Sequence, residues 1–400
     1  MIKSKTNNDM KYKLNKYVLG IFVFTTLLTG CDKNEDQFAS IEPQKNEVGY
    51  LVRDGYLAFD SRESFRKSIN KIVNQSEIER NKWEQKIGFV SQQRIAENVI
   101  NEELKKDSIN RIKFADTDLS PSKNTDYNSE AFKKALSLVS KSDLHSNAYY
   151  EALSKGVIKL IDEGTENEYW DFSVFSSCYV NFINEDGLYA VADTLYQVTN
   201  NGIKAIKYSD SSSKITILNV TKPSNNVKFR SPIQKVNSPG VFSSPWVQST
   251  SWLLKKRIRI SVELTLQYLI VSTLNYEFFH RVHSECQGQN ILGTWIYDDC
   301  GTVKIDGSWE ISMYRYPQLY SSSYSFTGND ANNYFFSVSP GSGALAYYES
   351  YFVVQPNSAN FDYGNGWPER QLAYQPYFTH CNWTANRADE GLTAVIHNPY

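Results

Sequence analysis

Cys31 is the residue whose neighbours most directly imply chemistry. It follows Leu28-Thr29-Gly30, a small-residue cleavage site. Ahead of that site lie a lysine-rich stretch (Lys3, Lys5, Lys11, Lys13, Lys16) and an uncharged apolar run, Tyr17 to Leu28. The run is shorter than the about 20 residues needed to span a bilayer. Charged start, short apolar core and a cysteine directly after the small pair together spell a bacterial lipoprotein signal. The expected chemistry is a thioether from Cys31 to diacylglycerol, cleavage before Cys31, and acylation of the new amino group. Two or three acyl chains hold a protein at a membrane where one holds it only marginally.

Other candidate chemistry is weaker. His280, His283 and Cys286 suggest metal ligands, but their spacing matches no zinc pattern. On a strand the odd separation puts His280 and His283 on opposite faces. His380-Cys381 are adjacent, whereas nucleophile and base usually come from separate segments. Gly341-Ser342-Gly343 follows Pro340 and reads as a turn, neither a phosphate loop nor a nucleophile elbow. Asp362, Glu369 and Asp389 are carboxylates of the kind a glycosidase uses, but that chemistry is set by their separation in space. No catalytic residue, metal site or cofactor is therefore expected.

One compositional bias remains. Residues 311–400 hold 20 aromatics in 90 positions, against 14% in the whole chain. Tyr363 and Trp367 stand among Gly and Asn, and Tyr374 and Trp383 near Pro and Asn. On exposed loops these rings would stack on sugar rings or peptides. In strands they would be ordinary core and cross-strand residues. As a stacking platform, Trp367, Trp383, Tyr363 and Tyr374 are the candidates.

The elements that position these residues divide by pattern. Residues 1–30 are the signal peptide and 31–48 an acidic, polar tether. Residues 49–165 read as mainly helical after a hairpin, Tyr50 to Phe59, that turns at Asp54-Gly55. Asp60 with Glu63 makes a capping box. Phe65, Ile69 and Ile72 then recur at helical spacing, as do Ile78, Trp83 and Ile87, and Ile95, Val99 and Leu104. Further helices are expected at 129–140 and 148–161. Residues 166–221 form a β-meander, with strands at 178–183, 188–191, 194–199 and 203–208 and glycine corners at Gly187 and Gly202. Residues 222–250, with four prolines, read as a linker. Residues 251–400 are an aromatic-rich, mainly antiparallel β domain, a sandwich or barrel-like sheet. It opens on the clearest periodicity in the chain. Ile258, Ile260, Val262, Leu264 and Leu266 alternate with Arg257, Arg259, Ser261, Glu263 and Thr265, an amphipathic strand with one wet face. The fold class is thus α+β.

Removing the signal's five lysines and Asp9 from 42 basic and 44 acidic residues leaves 37 and 43, a net charge of −6. That argues against a nucleic-acid partner, which calls for a basic stripe. Beyond Cys31, Cys178, Cys286, Cys300 and Cys381 remain. They give two disulfides in any of three connectivities, or four thiols.

Five stretches resemble known proteins, in two groups. Cys31-Asp32-Lys33-Asn34-Glu35-Asp36 is similar to the acidic segment after the lipidated cysteine of surface-exported Bacteroidetes lipoproteins, which implies the outer leaflet of the outer membrane, facing outward. Val52 to Ser61, Trp83 to Ser91, Asn184 to Gly187 and Ala192 to Thr199 resemble segments of Bacteroidetes lipoproteins of unknown function. That family has no activity to lend. The expected protein is a lipid-anchored binder of a glycan or a protein partner. The alternative is a secreted-type hydrolase whose site is assembled only in three dimensions.

Cys31→Ala is expected to abolish acylation and release the protein from membranes. Labelled palmitate incorporation and fractionation check this; membrane retention of the unacylated variant would contradict it.

Overall fold

In the computed structural model the chain is described at residues 49–73, 75–120, 129–208, 212–224, 226–230, 241–249, 255–267, 276–298, 302–315, 324–328, 334–337, 345–354, 374–387 and 391–397. The signal and tether lie outside these residues. Among the described residues no helix is long and apolar enough to cross a membrane.

The hairpin forms as the sequence implies. β1 (Tyr50–Arg53) and β2 (Tyr56–Phe59) pair antiparallel with Arg53 opposite Tyr56. The two turn residues, Asp54 and Gly55, both take positive φ, which suits Asp-Gly. The next helix, α1 (Arg62–Val73), is capped by Ser61 rather than by the expected Asp60–Glu63 box: Ser61 Oγ accepts from the Ser64 amide at 3.1 Å. The reciprocal capping box belongs to α2 (Glu77–Ile87), between Ser76 and Glu79. α3 (Gln92–Lys113) runs 22 residues. Its first-turn amides are satisfied by the chain itself, Gln92 N on Ile183 O and Gln93 N on Val180 O, both at 3.0 Å. α4 (Glu130–Ser137), α5 (Lys141–Leu144) and α6 (Asn147–Ser154) follow.

The helix expected over 148–161 ends early. Gly156 has φ +68, a left-handed stop, and residues beyond it form a strand. β3 (Ile158–Ile161) pairs with β4 (Tyr169–Phe172). Cys178–Ile183, expected as a strand, is instead a 3-10 turn over Ser177–Tyr179 and further turns, started by Ser176, whose hydroxyl accepts from the Cys178 amide. The meander is present as β5 (Leu188–Val191), β6 (Thr194–Thr199) and β7 (Gly202–Lys207). Gly187 is required at its first corner. Its φ is +76, and a Cβ there would sit 2.3 Å from the Val198 carbonyl oxygen. After α7 (Ser212–Asn219), β8 (Val227–Arg230) completes a six-stranded sheet in the order β1-β2-β5-β6-β7-β8, with β2 and β5 parallel.

Residues 222–250, expected as a linker, thus supply β8, and then β9 (Val241–Ser243) and β10 (Val247–Gln248). The last two pair with β11 (Lys256–Gln267). β12 (Tyr276–Gln289), β13 (Trp295–Tyr297), β14 (Thr302–Arg315), β15 (Tyr324–Gly328), β16 (Tyr334–Ser337), β17 (Leu345–Val354), β18 (Tyr374–Arg387) and β19 (Leu392–His397) follow. They form two antiparallel sheets. One is centred on the long β11–β12 pair with β17 beside β12, and the other on β14 and β18. β11 packs on β18 and β19, so the sheets form a sandwich, and the described strands close no barrel.

The apolar face of β11 and β12, with Ile258, Ile260, Val262, Val282 and Cys286, meets Ile305, Trp383, Ala385, Ala394 and Ile396 of the second sheet. The same core continues through Phe59, Phe65, Ile69, Val99, Tyr179 and Tyr189 of the N-terminal half. Cys178 and Cys286 are buried thiols, so the two-disulfide framework is not formed. Cys300 lies outside the described residues, and Cys381 sits in β18.

Trp383 is 1% exposed. Trp383→Ala is therefore expected to cost about 3–5 kcal/mol of stability, read by chemical denaturation. A change under about 1 kcal/mol would place the ring outside the core.

Candidate functional site

The alternation of β11 positions two faces, and over residues 257–263 neither is wet. In the antiparallel register Arg257 lies opposite Gln287, Arg259 opposite Glu285, Ser261 opposite His283, and Glu263 opposite Arg281. None of these eight residues is more than 9% exposed. The polar face of the pair is covered by β3, β4, the 176–183 turns and the start of α3, and becomes an internal polar layer.

Burying charge is costly unless each group is paired and hydrogen-bonded. Here the pairing is dense. Arg259 forks onto Glu285, Nε to Oε1 at 2.8 Å and Nη2 to Oε2 at 2.7 Å. Its third nitrogen donates to Tyr169 Oη at 2.6 Å. The Tyr297 hydroxyl donates to Glu285 Oε2 at 3.0 Å, and His283 Nε2 lies 3.3 Å from Oε1. Glu263 accepts from Ser176 Oγ at 3.0 Å, from the Ser177 amide at 2.8 Å and from the Ser177 hydroxyl. Arg281 donates to Ser177 O at 2.5 Å and reaches Gln93 of α3 at 3.4 Å. Arg257 lies between the rings of Trp246 and Trp295, 4.2 and 4.0 Å from their centroids, and donates to Gln287 at 2.8 Å.

The electrostatics follow from these contacts. Burial alone would raise Glu285, but the Arg259 guanidinium, with His283, overrides it and holds the carboxyl well below the usual range. Burial pushes Asp171 up, and the nearby Glu285 charge pushes the same way. Burial pushes Tyr297 well up, again reinforced by Glu285. Burial brings Arg257 down to about 10, with the Arg259 charge adding to it.

Within this layer lies a cavity of about 210 Å³. Asp171, Arg259, Ser261, Glu263, His283 and Glu285 line it, together with Phe172, Val174 and Phe175. His283 Nδ1 makes no protein hydrogen bond; Glu263 Oε1 is 3.8 Å away. Among the described residues no His/Cys/Asp/Glu group is arranged to hold a metal ion.

A second, larger concavity of about 520 Å³ lies on the other side of α3. Its walls are the Asp54-Gly55 turn, Gly88 after α2, Arg94 and Asn98 of α3, Glu151 and Lys155 of α6, and the Asn184–Asp186 turn. Lys155 bridges Glu151 and Glu185, each at 2.9 Å, and Lys214 reaches Asp186 at 3.4 Å. Arg94 Nη1 has no hydrogen-bond partner, and Ile95, Val99, Ala148 and Ala152 form the apolar floor. Three of the segments quoted above for their resemblance, Val52–Ser61, Trp83–Ser91 and Asn184–Gly187, converge on this groove.

The stacking candidates are not brought together by the described structure. Trp383 is in the sandwich core and offers no exposed face, because inward positions of β18 alternate with outward ones and Trp383 is inward, like Ala385 and Arg387. Tyr374 lies at the start of β18, opposite Arg315. Tyr363 and Trp367 lie outside the described residues, as do Cys31, Gly341 to Gly343, Asp362, Glu369 and Asp389. His280 stands opposite Leu264 in the β11–β12 register, three positions before His283. The polar layer was not found from sequence. Its signal is the second alternation, Arg281, His283, Glu285 and Gln287, whose charges complement those of β11.

Arg259→Met leaves Glu285 buried without its partner, and a loss of about 3–5 kcal/mol at pH 7 is expected. A carboxyl held low in the folded state stabilises above its unfolded pKa, about 4.3, and that contribution fades as pH falls below it. The gap between wild type and variant should therefore narrow toward pH 3 in denaturation curves. A gap independent of pH would contradict the pairing.

No family model matches the chain, and no curated relative matches it. Among solved structures, the chain is similar to a DUF4848 family protein from Bacteroides thetaiotaomicron, at 10% identity over 87% of this chain and 99% of that one, with a TM-score of 0.26. It is also similar to a Northeast Structural Genomics Consortium target, at 12% identity over 35% of this chain and 81% of that one, TM-score 0.18. A third similarity is to the variable domain of a Streptococcus agalactiae AgI/II polypeptide, at 7% identity over 45% and 84% of the two chains, TM-score 0.09.

Proposed function

We propose that the chain is a binding protein of the bacterial cell envelope, anchored through lipid on Cys31 and facing outward from the outer membrane. Its ligand is a segment of a protein partner, seated in the groove beside α3. The observation that carries this reading is the groove's lining. It combines an apolar floor with Lys155, Lys214 and Arg94 facing Glu151, Glu185 and Asp186, and it contains no aromatic ring. Alternating charge over an apolar floor complements a polypeptide with charged side chains. A glycan would want a ring to stack on.

A glycosidase-type hydrolase reading of this groove needs a carboxyl group kept protonated to act as an acid and a second one kept ionised. Glu151 and Glu185 are both well exposed and both paired with Lys155, which suits rim contacts rather than proton transfer.

The test places a photo-crosslinking amino acid at Asn98 in the full-length chain on intact cells. The expected result is an adduct with one protein, lost when Lys155→Glu and Lys214→Glu are combined. Absence of an adduct, or an adduct that persists in the doubly substituted chain, would overturn the assignment.

A further inference from the structure

The cavity inside the polar layer is not explained by the groove, and its lining is specific. His283 is 8% exposed, yet its Nδ1 makes no hydrogen bond within the protein. Nε2 contacts Glu285 Oε1 at 3.3 Å, so Nδ1, on the same ring, is a buried polar atom left without a partner in the protein. Glu263 Oε1, 3.8 Å from Nδ1, is too far to satisfy it. A hydroxyl group, which both donates and accepts, complements a ring nitrogen beside a carboxylate oxygen whichever ring nitrogen carries the proton. Ser243 Oγ and Ser261 Oγ, 2.7 Å apart, add a donor and an acceptor.

Charge restricts the ligand further. Arg259, and Lys159 at the edge, face Glu263 and Glu285, two against two, while burial moves Asp171 toward its neutral form. A cation would meet the guanidinium and an anion the carboxylates. Phe172, Val174 and Phe175 are also among the lining residues, so the ligand has an apolar part as well as hydroxyls. The volume, about 210 Å³, is below the roughly 300–1,000 Å³ of pockets for drug-sized ligands, which limits it to a single ring. Lys159 and Ser243 are exposed and form the opening.

We propose that this cavity is a binding site for one neutral sugar unit, whose hydroxyls bond His283 Nδ1, Glu263 and the Ser243–Ser261 pair while its apolar face lies on Phe172 and Phe175. The site is separate from the groove, and its failure leaves the groove reading standing.

The experiment uses ¹⁵N-labelled mature protein and the methyl glycosides of glucose, galactose, mannose and N-acetylglucosamine. At least one is expected to bind saturably at millimolar concentration and to shift the His283 Nδ1 resonance. Ser243→Trp, which fills the mouth from an exposed position, is expected to weaken that binding at least tenfold with an unchanged melting temperature. Lys159→Trp, on the other side of the opening, repeats the block if the first variant is unstable. The proposal is overturned if no glycoside moves the His283 resonance, if both blocked variants bind as wild type does, or if inorganic phosphate or methylammonium shifts the same resonance more strongly.

Discussion

The paired charges of Arg259 and Glu285 are the constraint on which the rest of the structure depends. Both sit on neighbouring strands of one sheet, under a layer that excludes water. A guanidinium and a carboxylate placed there need more than each other, because desolvation costs several kcal/mol per ion. The surrounding groups supply the remainder. Tyr169 takes the third nitrogen of Arg259, Tyr297 donates to the second oxygen of Glu285, and His283 closes the other side. Tyr169 belongs to β4, so the ion pair also fixes where the covering layer must lie. Glu263 does the same for the 176–183 turns, through Ser176 and Ser177. α3 is tied at both ends, by Gln93 to Arg281 and by Asp107, whose Oδ1 accepts from the Ile291 amide at 2.9 Å. The helical half is thus held to the sandwich by these polar contacts as well as by the apolar core the two halves share.

This division explains what was legible in the sequence. Strand β11 was readable to within a few residues because strict alternation is a property of the strand itself. Which side of it met water was not, because a charged face reads the same whether solvent or another layer covers it. Only the partner strand distinguishes the two: Glu285 and Arg281 stand opposite Arg259 and Glu263, a complementarity across 26 and 18 positions of sequence. The Asp54-Gly55 hairpin and the Gly187 corner were legible because a turn's chemistry is local. The 178–183 segment was misread as a strand because Cys, Tyr, Val, Phe and Ile favour strands. Three capping and turn contacts from Ser176 and Ser177 outweigh that propensity. Strands within 222–250 were hidden by the prolines around them, which restrict edge strands without forbidding them.

The aromatic excess shows the same limit. Trp383 stands near Pro and Asn in sequence, yet its place on β18 sends it into the core opposite Gly307. Rings also serve the polar layer. Trp246, Trp295 and Tyr169 lie around Arg257 and Arg259, where a cation over a ring face replaces part of its lost hydration. Two concavities result from this architecture. One is open, lined by α3, α6 and the turns that precede β2 and β5 at one end of the N-terminal sheet. The other lies within the layer itself, where paired strands leave a histidine nitrogen unsatisfied.

The central claim is that a buried polar layer joins the helical half to the sandwich as one cooperative unit. Differential scanning calorimetry of the mature chain tests it directly. The account expects one transition whose calorimetric and van't Hoff enthalpies agree. Two separated transitions, one for each half, would contradict it.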